Sequence, residues 1–210
     1  MPTRLSALIN KLHGRFVHRT RVGVLTHHLA EMIPRDASVL DIGCGDGLID
    51  QAILQRRPDL SIEGLDPFPR REAIIPVRSF DGQTLPFTDK SFDVVMFVDV
   101  LHHTMNAPTL LREAVRVARK WVLIKDHYAE GLPAQVILRF MDLVGNAGQT
   151  FAWAGDYWPA RRWDLTFKEL NLTVVENRTS LGLYPVPANW IFERSYHFIA
   201  KLDLSRPANR

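Results

Sequence analysis

Residues 41 to 47 read Asp41-Ile42-Gly43-Cys44-Gly45-Asp46-Gly47, directly after an apolar, β-branched run at 38–42. Glycines separated by single residues permit left-handed backbone and leave main-chain N–H groups bare to a ligand. Leu48 then opens a helical pattern whose first turn offers further donors. A carboxylate at one edge and bare amides at the other make a cradle for a nucleotide-like molecule. A second acid, Asp66, follows the next strand-like run. The spacing argues against a dinucleotide, whose G-x-G-x-x-G turn would need a glycine at position 48, where this chain has Leu48.

Two further pairs could move protons. His102 and His103 follow the run 92–98, and Asp126 and His127 follow the run 121–125. Adjacent histidines lack the i, i+4 partner of a helical zinc site, and a single cysteine cannot build a thiolate cluster, so no metal is expected. The elbow holds glycines and no G-x-S-x-G, which argues against Ser-His-Asp hydrolysis. Cys44, inside the turn, reads as a small packed residue in preference to a nucleophile.

The elements that must carry these residues alternate. Short apolar runs lie at 38–42, 61–65, 74–80, 92–98 and 121–125, with helical patterns between them, clearest at 48–57 and 109–119. Strands apolar on both faces and separated by helices imply a parallel sheet covered on both sides, a doubly wound α/β fold with ligands beyond the carboxyl ends of the strands. Two late runs, 172–176 and 196–201, have no full crossover between them and can pair antiparallel. The linking segment around 190–194 reads as a helical turn, and 205–210 as a frayed tail.

At 210 residues, 46% hydrophobic and 23% charged, the chain has core enough for one globular domain and needs no second. A lone cysteine, no leader and no apolar run near the length of a membrane span point to a reducing cytoplasm. Residues 1–35 hold six Arg/Lys against one Glu, in a chain of net +3. In the same segment Leu5, Leu8, Ile9, Leu12 and Phe16 recur at helical spacing, giving a basic amphipathic helix. Such a helix is able to lie on an anionic membrane; the competing reading packs its stripe on the core. The charge excess is local and no base-reading motif accompanies it, so nucleic acid is not expected.

In order and spacing, the blocks "DIGCGDG", "IEGLDPFP" and "FDGQTLPFTDKSFDVVMFVDVLHH" resemble the class I S-adenosylmethionine-dependent methyltransferases over about residues 36–126. Within them "LHH" is most similar to the small-molecule branch that includes ubiquinone and menaquinone methyltransferases. The resemblance implies a seven-stranded, mostly parallel, Rossmann-like sheet with an antiparallel last strand. It implies that Asp41, Gly43, Cys44, Gly45 and Gly47 line the methionine part of S-adenosyl-L-methionine. Asp66 and Pro67 would meet the ribose, Asp81 and Gly82 the adenine, while Val98 and Asp99 fall where strand four turns toward cofactor and acceptor. Where many relatives carry Pro-Gly-Gly before strand five, this chain has "ARKWVLIKD", so the turn at Arg119 and Lys120 must be made differently.

The chemistry so implied is an in-line displacement at a sulfonium methyl, for which the protein supplies mainly positioning and dryness. A base is needed only for an acceptor that must lose a proton. His103 and His127 are the candidates for that role, with His102 and Asp126 beside the acceptor; for any one histidine, capping a helix or satisfying a carbonyl is the competing role. The long stretch 128–165, with a helical pattern at 133–144, reads as an acceptor-binding cap. Asn146, Trp153, Tyr157 and Trp158 would contact a small apolar or ring-bearing acceptor, lipid-like if the basic N-terminus is membrane-directed. Phe151, Trp163, Asp142, Asp156, Arg161 and Arg162 extend the same composition. Core packing of an extra subdomain is the plainer alternative for these aromatics. At the level of function the alternatives are a nicotinamide-dependent oxidoreductase and a non-catalytic methyltransferase-like scaffold.

Overall fold

A computed structural model describes residues 20–145, 155–184, 186, 188–193 and 196–205, with side chains 142–145 excepted. Among them, a helix over residues 20–32 (α1) leads into seven strands: β1 (Ser38–Ile42), β2 (Ser61–Asp66), β3 (Val77–Ser79), β4 (Phe92–Val98), β5 (Ala118–His127), β6 (Thr173–Arg178) and β7 (His197–Asp203). Between the strands run α2 (Leu48–Arg56), α3 (Ala107–Val117), α4 (Gly131–Gly145), α5 (Ala160–Glu169) and the short α6 (Asn189–Phe192). One sheet holds all seven strands in the order β3-β2-β1-β4-β5-β7-β6. β1 to β5 are parallel, and β7 runs antiparallel between β5 and β6. The strand order reverses between β1 and β4, and at such a switch point the connecting loops diverge and leave a crevice at the carboxyl ends.

Strand alternation sorts the interior into two cores. Leu40 and Ile42 of β1, Val95 and Phe97 of β4, Val122 and Ile124 of β5 and Phe198, Ala200 and Leu202 of β7 pack with α3 and with Trp163 and Phe167 of α5. The intervening residues Val39, Val94, Met96, Leu123 and Ile199 pack with Leu25, Leu29 and Met32 of α1 and Ile53 of α2. Successive side chains leave opposite faces of a strand, so continuous apolar runs require a helical layer on each side. α3 meets that need with a stripe of Ala107, Leu110, Leu111, Ala114 and Val117, all buried, and it starts at Asn106, whose side chain accepts from the Thr109 N–H.

The turn expected at Arg119 and Lys120 does not exist: α3 ends at Val117 and β5 starts at Ala118, already extended at φ −75°, ψ 139°. Arg119 and Lys120 therefore lie in the strand. β3 is shorter than the expected run 74–80, because Ile74 and Ile75 turn over the glycine loop instead; the Ile74 N–H donates to the Asp46 carbonyl at 3.0 Å. The stripe 5–16 expected at the N-terminus lies outside the described residues.

Candidate active site

The glycine turn is built as its spacing demands. Gly43, Gly45 and Gly47 all have positive φ, at 77°, 62° and 77°. A Cβ on Gly43 would lie 2.5 Å from Val100 Cγ2, so the β1 turn abuts the end of β4 too closely for any side chain. At Gly45 a Cβ would meet only the Arg70 guanidinium, at an ordinary contact distance of 3.8 Å from Nη2. The turn is tied to the end of β2 by Gly43 N–H to the Leu65 carbonyl (2.6 Å) and Gly45 N–H to Asp66 Oδ2 (3.1 Å). Asp66 Oδ1 accepts from the Phe68 N–H at 2.7 Å. Each oxygen of a carboxylate has two lone pairs, so Asp66 is oriented by these amides and still able to accept from a diol.

Gly82, also at positive φ, lies beside Pro67, a Cβ there falling 3.6 Å from Pro67 Cγ. Asp81 Oδ1 accepts from the N–H groups of Gln83 and Thr84 at 2.8 and 2.7 Å, and these bonds hold its carboxyl below the ordinary range. The fold thus gathers Asp41, Gly43, Cys44, Gly45, Gly47, Asp66, Pro67, Asp81 and Gly82 along the carboxyl ends of β1, β2 and β3. Burial, reinforced by Asp41, pushes the Cys44 thiol far above its usual range, which makes it a poor nucleophile.

Beside this rim, Val98 and Asp99 close β4, Asp99 in the left-handed region at φ 58°. Burial opposes its ionisation, but Arg21 of α1 and Lys125 of β5 both pair with its carboxylate and hold it well below the carboxylate range. Lys125 is fully buried, and desolvation lowers it to about 8 against the pull of Asp99. His197 Nε2 donates to the Phe192 carbonyl at 3.1 Å, which leaves Nδ1 to accept from Lys125 Nζ at 3.4 Å. Consistent with a neutral ring, burial and then the Lys125 charge push His197 well below its ordinary value.

The histidines meet Asp126 from two elements. His102, in the 3₁₀ turn Leu101–His103, places Nδ1 2.7 Å from Asp126 Oδ1. The same oxygen accepts from the His127 N–H at 2.8 Å, with His127 Nδ1 at 3.3 Å. Burial works against the Asp126 charge, but His102 and His127 hold it well below the carboxylate range. Burial and then the Lys125 charge push His127 well below its ordinary value, so it stays neutral. The His103 ring lies against His102, tilted by 45° with ring centroids 4.0 Å apart. Ligating atoms of His102, Asp126 and His127 lie within 4.8 Å of one another. Asp126 Oδ1 is shared among these donors and orients His102, while Asp126 Oδ2 is buried without a hydrogen-bond partner among the described residues.

Past the segment 146–154, which lies outside the described residues and holds Asn146, Phe151 and Trp153, the chain returns to this rim. Asp156 N–H donates to the His102 carbonyl at 2.8 Å, and the Tyr157 ring stacks on His102 at 4.9 Å and 20°. Trp158 turns inward to the core, against Trp163, with the Arg162 guanidinium over its ring at 4.0 Å. Trp163 Nε1 donates to the His127 carbonyl at 3.1 Å. Sequence reasoning passed over Asp50, Arg21, Lys125 and His197. For Asp50 the sequence held no signal, since an acid in the first turn of a helix reads as solvated; its burial beside Ile53 appears only once α2 is packed.

Among known proteins, a family model described as "Methyltransferase domain" matches residues 14–177. The chain is 32% identical over 111 residues to 27-O-demethylrifamycin SV methyltransferase of Amycolatopsis mediterranei, covering 45% of this chain and 40% of that protein. It is 27% identical over 189 residues to phthiotriol/phenolphthiotriol dimycocerosates methyltransferase of Mycobacterium leprae, covering 86% and 62%. It therefore spans about half the length of these curated relatives. In fold it is similar to Burkholderia thailandensis 1,6-didemethyltoxoflavin-N1-methyltransferase, solved with S-adenosylhomocysteine, at TM-score 0.60 and 16% identity over 92% of this chain and 79% of that one.

Proposed function

The chain belongs to the methyltransferase domain family, and we propose that it moves a methyl group from S-adenosyl-L-methionine to a small, apolar or ring-bearing acceptor. The observation that carries this reading is the left-handed glycine turn whose Gly45 amide is tied to Asp66, with the His102–Asp126 pair on the same rim. Residues of this chain fit the cofactor. Asp41 and the glycine amides suit its amino-acid arm, Asp66 its ribose, and Asp81 and Gly82 its base. When bound, S-adenosylmethionine supplies an electrophilic methyl carbon on a sulfonium. The nicotinamide-dependent alternative is not favoured, since Leu48 replaces the third glycine it needs.

The chain's own work is orientation, exclusion of water and removal of a proton. With Nδ1 donating to Asp126, the basic lone pair of His102 is on Nε2, and Asp126 steadies the imidazolium as the proton arrives. His103 and His127 flank this pair and remain candidates for the same step. The expectation of a cap over 128–165 is supported by Tyr157, which returns to cover His102.

A lipid-like acceptor is supported by α4, whose Ala134 and Leu138 are buried while Leu132, Val136 and Phe140, spaced i, i+4, i+8, stay exposed. The Mycobacterium relative is named for phthiotriol dimycocerosates, and neither curated relative is named for a quinone. Peripheral membrane contact through the basic N-terminal segment and the α4 stripe would bring such an acceptor to the rim. Among the described residues no helix is long and apolar enough to cross a membrane.

Labelled methyl transfer across a panel of phenols, polyketide-like alcohols and long-chain alcohols tests the proposal. Label is expected in at least one class. His102→Ala should lower turnover about 10²- to 10⁴-fold while leaving S-adenosylhomocysteine affinity unchanged. Unimpaired turnover in His102→Ala removes His102 as base.

A further inference from the structure

Behind the glycine turn two acids meet in the core. Asp41 lies two residues after Val39 on β1, so its side chain leaves the sheet on the α1/α2 face. Asp50 lies three residues before Ile53 on α2 and shares that helix's buried face. Asp50 is completely buried and Asp41 nearly so. Asp41 Oδ1 and both oxygens of Asp50 are sealed from solvent with no donor in reach among the described residues. Such an arrangement is costly, because a buried carboxylate normally finds a cation or several N–H groups.

Among the described residues, the charges acting on the pair are negative. Asp41 feels Asp50 and Asp66 at the end of β2, and Asp50 feels Asp46 in the turn, which itself pairs with Arg70 at 3.3 Å. Cys44 is held as the neutral thiol. Among the described residues the fold therefore builds a carboxyl pair beside the ligand turn and sets no positive group against it. The missing cation must come with the ligand or the pair must keep protons.

We propose that Asp50 is a cofactor-positioning residue. It shares protons with Asp41 in the free protein and gives one up as the α-ammonium of the S-adenosylmethionine amino-acid arm arrives, which couples cofactor binding to proton release. The inference rests on the cofactor reading above. Burial, more than any neighbour, pushes Asp41 well above the carboxylate range and Asp50 to about 6, so the exchange belongs to mildly acid and neutral pH. In that window the α-amino group of the ligand, which titrates higher, stays protonated.

Titration calorimetry of the full chain between pH 5 and 7, in buffers of different ionisation heat, counts the protons directly. S-adenosylhomocysteine, which has the amino-acid arm, is expected to bind up to tenfold more tightly per pH unit and to release up to one proton. 5′-Methylthioadenosine, which lacks the arm, should bind with no such slope. Asp50→Asn should flatten the S-adenosylhomocysteine slope and abolish the release. It should also fold at least as stably at pH 8, because it removes a buried charge. The wild-type proton count needs no variant, so it decides the matter even if Asp50→Asn fails to fold. S-adenosylhomocysteine binding without proton release, or an unchanged slope in Asp50→Asn, overturns the role of Asp50 and leaves the cofactor reading intact. No binding of S-adenosylhomocysteine at any pH overturns both.

Discussion

Single positions differ in what they contribute even when their types match. Gly43 and Gly45 share a positive φ, yet a Cβ would clash with Val100 at 2.5 Å at Gly43 and make only an ordinary contact with Arg70, at 3.8 Å, at Gly45. Gly43→Ala is therefore expected to lower the melting temperature through both backbone strain and displacement of Val100. Gly45→Ala should cost only about 1 kcal/mol of stability and act chiefly on ligand approach. Thermal unfolding alongside S-adenosylhomocysteine titration separates the two; equal losses of stability would contradict the geometry. Asp66 was legible in the sequence only through its place in an ordered series of blocks, since an acid after a strand is common by itself. Asp50 was not, because an acid in the first turn of a helix reads as a solvated partner of the helix dipole. Only the orientation of α2 against β1 shows that it faces inward. The pairing of His102 with Asp126 was hidden for the same reason: each lay in a legible pair, but 24 residues separate them and the contact depends on β4 and β5 lying side by side.

At the scale of elements, β5 shows what periodicity can and cannot supply. Its apolar middle, 121–125, was evident, whereas the observed strand runs from Ala118 to His127. The added residues are held by partners remote in sequence: Asp126 pairs with Phe198 and His127 with His197 on β7. This extension aligns Lys125, Asp126 and His127 with the end of β4. It also buries an ammonium at Lys125, with consequences for stability. In the folded chain Lys125 titrates at about 8, below the unfolded value near 10.5. Between those limits the unfolded state holds the extra proton, so stability is expected to rise from pH 8 to pH 10 by about 2–3 kcal/mol. Denaturant unfolding across that range should show the rise in the wild-type chain and little of it in Lys125→Met. An identical rise in both would mean that Lys125 is not the group responsible. Removing its partner is more damaging: Asp99→Ala leaves a buried ammonium uncompensated and should cost about 3–5 kcal/mol at pH 7.

For the molecule as a whole, the doubly wound sheet was readable because five apolar runs alternate with helices, and the antiparallel end because the last two runs lack a crossover. The position of β7 between β5 and β6 was not, since nothing local decides which strand enters a sheet first. The same scale governs how the protein meets its surroundings. If the α4 stripe and the basic N-terminus engage lipid, the full chain should co-sediment with anionic vesicles, and Val136→Glu together with Phe140→Glu should return it to the supernatant. Retention of wild type in the supernatant would contradict the membrane contact and leave the transferase reading untouched. That reading depends on one joint property of β1, β2 and the turn between β1 and α2, the capacity to hold a sulfonium nucleoside. Calorimetric titration of the purified chain with S-adenosylhomocysteine measures it directly. One saturable site, weakened at least tenfold by Asp66→Ala and absent with NAD⁺, is the expected result; no heat with the nucleoside, or binding of NAD⁺ in its place, would contradict the account.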